Sequence, residues 1–163
     1  MINFNQKQQN LKFNRPVNIL IVVAPYYNEI SDQLILGAET ECKKYDTSID
    51  FINVPGALEI PPAIRLAHEN LNYDGFIALG CIIRGETSHY DTVCSDSSNG
   101  LMLLGLRGAN IGNGILTVEN VDQAEKRANP KKMNKGGGAA HAVLSLIHYE
   151  RNITEKTENE LFN

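Results

Sequence analysis

The stretch Phe76-Ile-Ala-Leu-Gly-Cys-Ile-Ile-Arg-Gly-Glu-Thr-Ser-His-Tyr90 decides the fold. Its first eight residues are apolar apart from Gly80, the pattern of a strand buried on both faces of a sheet. Arg84, Gly85 and Glu86 then make a glycine-containing turn, and a helical pattern starts directly after Thr87, Ser88 and His89. A strand that turns straight into a helix N-terminus presents free backbone N–H groups and the positive end of the helix dipole, both of which favour an anion. The Thr87 hydroxyl and the His89 imidazole put a proton-transfer group at the same point. The stretch reads as a site for chemistry on a small phosphorylated molecule.

The alternation of strand and helix continues in both directions. Upstream, a β-branched run over 17–24 predicts a strand, and Leu34, Ala38, Cys42 and Tyr45 recur at helical spacing. A second strand over 49–54 ends at Pro55-Gly56. Ile60, Ile64, Ala67 and Leu71 mark the next helix, with Pro61 and Pro62 tolerated in its first turn. Downstream, Tyr90, Val93, Ser97, Leu101 and Leu104 form the stripe of a third helix. A fourth strand covers 115–118, with Ile111 as its earliest start, and a short helix over 121–128 stops at Asn129-Pro130. Ala140, Val143, Leu144 and Ile147 face a last helix, entered through Gly136-Gly137-Gly138.

This order predicts an α/β fold: one domain with a doubly wound, four-stranded parallel sheet and helices on both faces. Ligands of such sheets bind at the carboxyl ends of the strands, which selects the loops 25–28, 55–59, 80–89 and 119–120. So small a sheet also suggests self-association. Residues 1–16 read as an N-terminal tail or arm, 17–152 as the domain, and 153–163 as a polar C-terminal tail.

Composition narrows the function classes. A net charge of −4 over 163 residues argues against a nucleic-acid partner. Lys131, Lys132 and Lys135 make only a short cluster of the kind found in solvated loops. Cys42, Cys81 and Cys94 cannot all pair and match no zinc spacing, so they read as reduced thiols. Without an apolar run of transmembrane length or a signal-peptide core, the expected location is the cytoplasm, with no membrane partner.

Several residues carry two readings. His89 stands out as the catalytic candidate because of its position at a strand end; His68, His141 and His148 read as structural. Thr87 and Gly85 suit a phosphate through hydroxyl and backbone N–H, or simply cap a helix. Arg84 could bind phosphate or form an ion pair. Glu86 would repel an anion, so only its backbone is expected to contribute. Glu59 could accept a ligand N–H or occupy a helix first turn. Tyr26 and Tyr27 could stack on a flat heterocycle, and Arg127 could complement a helix C-terminus. The three consecutive glycines lack both the Walker spacing and a preceding strand.

Together these residues resemble the lumazine synthase family. The resemblance lies in Val54-Pro-Gly-Ala-Leu-Glu-Ile-Pro61, Leu79-Gly-Cys-Ile-Ile-Arg-Gly-Glu-Thr-Ser-His-Tyr90, Gly114-Ile-Leu-Thr-Val-Glu-Asn120 and Asn134-Lys-Gly136, and spans about residues 16–150. It implies a flavodoxin-like subunit in a homo-oligomer, at least a pentamer, with active sites between subunits. The implied reaction joins 5-amino-6-(D-ribitylamino)uracil to 3,4-dihydroxy-2-butanone 4-phosphate, giving 6,7-dimethyl-8-ribityllumazine and phosphate, with neither metal nor organic cofactor.

By matching position, Tyr26 would stack on the pyrimidine. Ala57, Leu58 and Glu59, with backbone groups of Cys81, Ile82 and Ile83, would hold the uracil and ribityl chain. Glu86 and Thr87 would take the phosphate, and His89 would move protons. Asn113 and Arg127 from the adjacent subunit would complete the pocket, and Lys135 matches a lysine near the ligand. Pro25, Tyr26 and Asn113 depart from the residues usual in the family, Asn113 standing where Phe is frequent. The segment 129–134 differs from the Gly-rich version associated with icosahedral shells, which favours a pentamer. A non-catalytic flavin or lumazine binder and a shell-forming protein are the alternatives on the same fold.

Overall fold

The two central strands follow from the two longest apolar runs. In β1 (Val17–Val23), Val17, Ile19, Ile21 and Val23 point to one face and Leu20 and Val22 to the other, and all six are buried. β3 (Gly75–Ile83) is likewise buried on both faces through Ile82. The structure, a computed structural model, describes residues 11–161. Residues 1–10 of the expected arm and 162–163 of the expected tail lie outside the described residues.

Between these strands the chain forms α1 (Asn28–Cys42), β2 (Thr47–Asn53), a single 3-10 turn (Ala57–Glu59) and α2 (Ile60–Asn70). After β3 come α3 (His89–Leu106), β4 (Ile111–Val118), α4 (Val121–Ala128) and α5 (Lys135–Leu161). All pairings are parallel and the strand order is β2-β1-β3-β4. The chain winds outward from β1 to β2, then restarts on the other side at β3. The junction of β1 and β3 is therefore the topological switch point, where ligands of such sheets bind.

Helices α1, α4 and α5 cover one face, where Leu34, Ala38, Ala124, Val143, Leu144 and Ile147 meet Ile19, Ile21, Ile77 and Leu79. On the other face, α2 and α3 bring Ile60, Ile64 and Leu101 against Leu20, Val22, Phe76 and Ala78. Each of the larger of these side chains stabilises the fold by roughly 1.5–3 kcal/mol through burial.

Several boundaries are settled by contacts that the sequence reading does not show. β2 begins at Thr47, because Thr47 pairs in register with Val17 at the start of β1. β4 takes its earliest start, with Ile111 opposite Phe76. The glycine run lies inside α5 instead of ahead of it, for a steric reason. A Cβ on Gly136 would stand 2.0 Å from the Leu34 carbonyl oxygen, so only glycine lets α5 start this close to α1. Asn134, in the left-handed conformation at φ 46°, caps the helix by accepting the Gly137 N–H at 3.1 Å. At its far end α5 continues to Leu161 through the segment read as a polar tail, and the side chains of 153–157 are exposed.

Candidate active site

A cavity of about 430 Å³ opens at the carboxyl ends of β1 and β3, above the switch point. Three of the four loops selected from the sequence build it. The first supplies Tyr26 and Tyr27, the second Gly56, Ala57, Leu58 and Glu59, and the third Cys81, Ile82, Ile83, Gly85, Thr87 and His89. Ala57, Cys81 and Ile82 are each less than a tenth exposed and make an apolar floor. Tyr26, by contrast, is 74% exposed, with its ring edge-on to Tyr27 at 5.1 Å. An aromatic face so open is free to stack on a flat ligand.

Glu59 ends the 3-10 turn and stands at the N-cap of α2, yet its side chain makes no capping hydrogen bond. Its carboxylate is exposed and lines the cavity, where it can accept a hydrogen bond, and Glu59 also occupies a helix first turn, so both readings of it stand. Gly56 leaves room for it: a Cβ there would sit 3.1 Å from Glu59 Oε2.

The third loop is set at the start of α3. Ser88 occupies the N-cap without a side-chain hydrogen bond, and Thr87 Oγ1 accepts the His89 N–H only at a long 3.4 Å. Capping therefore does not consume the Thr87 hydroxyl, and the amino end of this 18-residue helix remains suited to an anion. Residues 85–89 are all exposed, and a Cβ on Gly85 would meet nothing within 4 Å.

Arg84 is committed elsewhere. Its Nε donates to Glu119 Oε2 at 2.8 Å and its Nη2 to Asp91 Oδ1 at 3.1 Å. These two carboxylates, Asp91 first, hold the guanidinium pKa above its ordinary value. Of the two readings open for Arg84, the structure gives the ion pair. The fourth loop, 119–120, thus enters the site only indirectly, through Glu119.

Burial pushes the Cys81 thiol up to about 11 and raises the Tyr27 phenol, so both stay neutral at physiological pH. Among the described residues there is no group of three or more His, Cys, Asp or Glu that could hold a metal ion, and no helix long and apolar enough to cross a membrane.

Four sequence candidates do not line this cavity. Glu86 is exposed beside it. Asn113 lies on the edge strand β4, where its Oδ1 accepts the Ile115 N–H at 3.0 Å. Arg127 is half-buried on α4 and donates to the Gln123 carbonyl at 3.2 Å. Lys135 opens α5, exposed. Conversely, Tyr90 and Val93, read as part of a core stripe, line the cavity and are half-buried. The i, i+4 spacing from His89 to Val93 carries that signal, since it places both on one face of the first turn. Ala24 lines the cavity too but carries no sequence signal, because nothing distinguishes it from the strand it follows.

Known proteins resemble this chain closely. Residues 16–151 match the family described as 6,7-dimethyl-8-ribityllumazine synthase. A protein of that name from Jannaschia sp. (strain CCS1) is 52% identical over 85% of this chain and 78% of its own length. One from Novosphingobium aromaticivorans is 50% identical over 78% of this chain and 92% of its own. Another, from Zymomonas mobilis, is 47% identical over 83% and 97%.

Proposed function

The chain belongs to the 6,7-dimethyl-8-ribityllumazine synthase family, and from that premise we propose that the cavity at the switch point is its catalytic pocket. The chain is a transferase of riboflavin biosynthesis. It condenses 5-amino-6-(D-ribitylamino)uracil with 3,4-dihydroxy-2-butanone 4-phosphate to 6,7-dimethyl-8-ribityllumazine, releasing phosphate. One observation carries the assignment: Glu59 from one loop and Thr87 and His89 from another converge on one cavity over an apolar floor. Such a pocket can hold two substrates in register while one imidazole moves protons between them.

In this reading Tyr26 stacks on the pyrimidine and Glu59 accepts its N–H groups. Ala57, Leu58 and the backbone of Cys81, Ile82 and Ile83 hold the uracil and ribityl chain. The phosphate lies against the Glu86 backbone and the Thr87 hydroxyl, with His89 between the two reacting groups. Because Arg84 is already paired with two carboxylates, the phosphate needs a cation from elsewhere. Arg127 of an adjacent copy fills that need, Asn113 of that copy completes the pocket, and Lys135 stands near the ligand. Support for such an assembly comes from α3, where Met102, Leu103 and Leu106 are 64%, 57% and 78% exposed. The assembly is a pentamer and the location cytoplasmic, in keeping with three free cysteines.

The test mixes the purified protein with both substrates and follows lumazine absorbance and phosphate release. Product above the spontaneous rate is expected. His89→Ala lowers turnover by on the order of a hundredfold, and Arg127→Ala removes most activity. Co-refolding these two variants should restore activity, because some sites then combine an intact His89 with an intact Arg127. No recovery in such hybrids would sink the shared site, and light scattering measures the pentamer directly.

A further inference from the structure

The Arg84 guanidinium ties together three segments at the rim of the cavity. Its Nε reaches Glu119 Oε2 at 2.8 Å, in the loop after β4. Its Nη2 and Nη1 reach the Asp91 carboxylate at 3.1 and 3.5 Å, in the first turn of α3. Its Cζ lies 4.0 Å from the centre of the Tyr90 ring, which walls the cavity. The Arg84 backbone N–H is bonded to the Val118 carbonyl at 2.9 Å, so the root of the side chain is anchored to β4 as well. Glu119 is in turn held at its backbone N–H by Gln123 Oε1 at 3.1 Å.

Charge accounting excludes a simple phosphate-binding role in this arrangement. One guanidinium faces two carboxylates, so the cluster has a net charge of −1 and offers no spare cation to an anion. The planar fork does something a point charge cannot. It meets carboxylates on two different elements while stacking on an aromatic ring, and so fixes their relative orientation. Between Arg84 and Asp91 lie the loop 85–88 and the first two residues of α3, all exposed except for Tyr90. Exposed side chains give that loop little burial with which to hold its backbone N–H groups in place.

We infer that Arg84 is a positioning residue for the phosphate loop: its fork, braced on Glu119 and Asp91, fixes the backbone of 85–88 and the Tyr90 ring without touching the phosphate. This rests on the catalytic reading of the cavity given above. Exposed ion pairs contribute little to global stability, so the clamp acts on local geometry, where small displacements have large kinetic effects.

The experiment compares Arg84→Lys, Arg84→Gln and Glu119→Gln with the unmodified protein. Both Arg84 variants should raise KM for the butanone phosphate roughly tenfold while leaving KM for the pyrimidine within about twofold. In ligand-free protein both should also speed amide hydrogen exchange across 85–90. Glu119→Gln should move both readouts in the same direction to a smaller extent, and it remains informative if an Arg84 variant folds poorly. If Arg84→Lys behaves as the unmodified protein and Arg84→Gln does not, the charge itself binds phosphate and the clamp is overturned. Unchanged exchange in all three variants overturns it too. Should the unmodified protein make no product, the catalytic reading fails, and the exchange measurement still decides the clamp.

Discussion

Arg151 on α5 meets Asp74, the residue before β3, with Nη2 3.0 Å from Oδ1, at the opposite end of the sheet from the cavity. Burial alone would push the Asp74 carboxyl up. The Asn18 N–H at 2.8 Å and the Arg151 and Arg15 guanidiniums together outweigh it, and the net pKa lies below the ordinary value. A carboxyl with a depressed folded pKa contributes stability that is present above its unfolded pKa and lost as pH falls through the folded one. Asp74→Asn should therefore cost about 2 kcal/mol at neutral pH. It should also flatten the loss of stability below about pH 4, the ordinary carboxylate range. Urea midpoints measured across pH 2–7 check both; an acid limb unchanged in the variant would refute the assignment to Asp74.

The start of α5 has no tolerance for a larger residue. At Gly136 a methyl group would press on the Leu34 carbonyl at 2.0 Å, a backbone atom that cannot rotate away. Gly136→Ala should cost about 3 kcal/mol, by separating α5 from α1. Gly138 serves as the control, because a methyl group there would meet nothing within 4 Å. Ala at that position should be neutral or slightly stabilising, since glycine is a poor helix former. Thermal melts of the two variants should differ in this order.

Most of the fold was legible because buried parallel strands and amphipathic helices write different periods into the chain, as in Val17–Val23 against Ile60–Asn70. Where the structure departs from that reading, the deciding contact is distant in sequence. The Leu34 carbonyl sets where α5 begins, and Val17 sets where β2 begins. Tyr90 and Val93 carry the periodicity of core residues, and the one hint that a cavity lies over them is that Val93 shares a helix face with His89. The half of the site on β1 to β3 could be read from strand ends. Asn113, Arg127 and Lys135 entered as ligand-binding candidates through resemblance alone, because none of them lies at a strand end that lines the cavity.

Cys81 lines the pocket, yet its side chain has no assigned role in the chemistry. With its pKa pushed up to about 11 by burial, the thiolate fraction at pH 7 is on the order of one in ten thousand. Cys81→Ala should therefore keep kcat and both KM values within about twofold, because the proposed contact is to the backbone, which the substitution leaves unchanged. Thiol reagents at neutral pH should modify Cys81 slowly. A collapse of kcat in well-folded Cys81→Ala protein would place the sulfur in the mechanism.

Gly85 offers the sharpest separation of stability from binding. A Cβ there would meet no protein atom within 4 Å, so the fold itself does not require glycine. Gly85→Ala should leave stability within about 0.5 kcal/mol, as for substitutions away from packed features. In the proposed reading, however, the space a methyl would take is the space through which the phosphate approaches the backbone N–H groups ahead of α3. The variant should raise KM for the butanone phosphate by roughly tenfold with little change for the pyrimidine. Steady-state kinetics with each substrate varied in turn, alongside a thermal melt, decide the matter. Equal increases in both KM values would mean that the loop bears on the whole pocket, and an unchanged pair would move the phosphate away from Gly85.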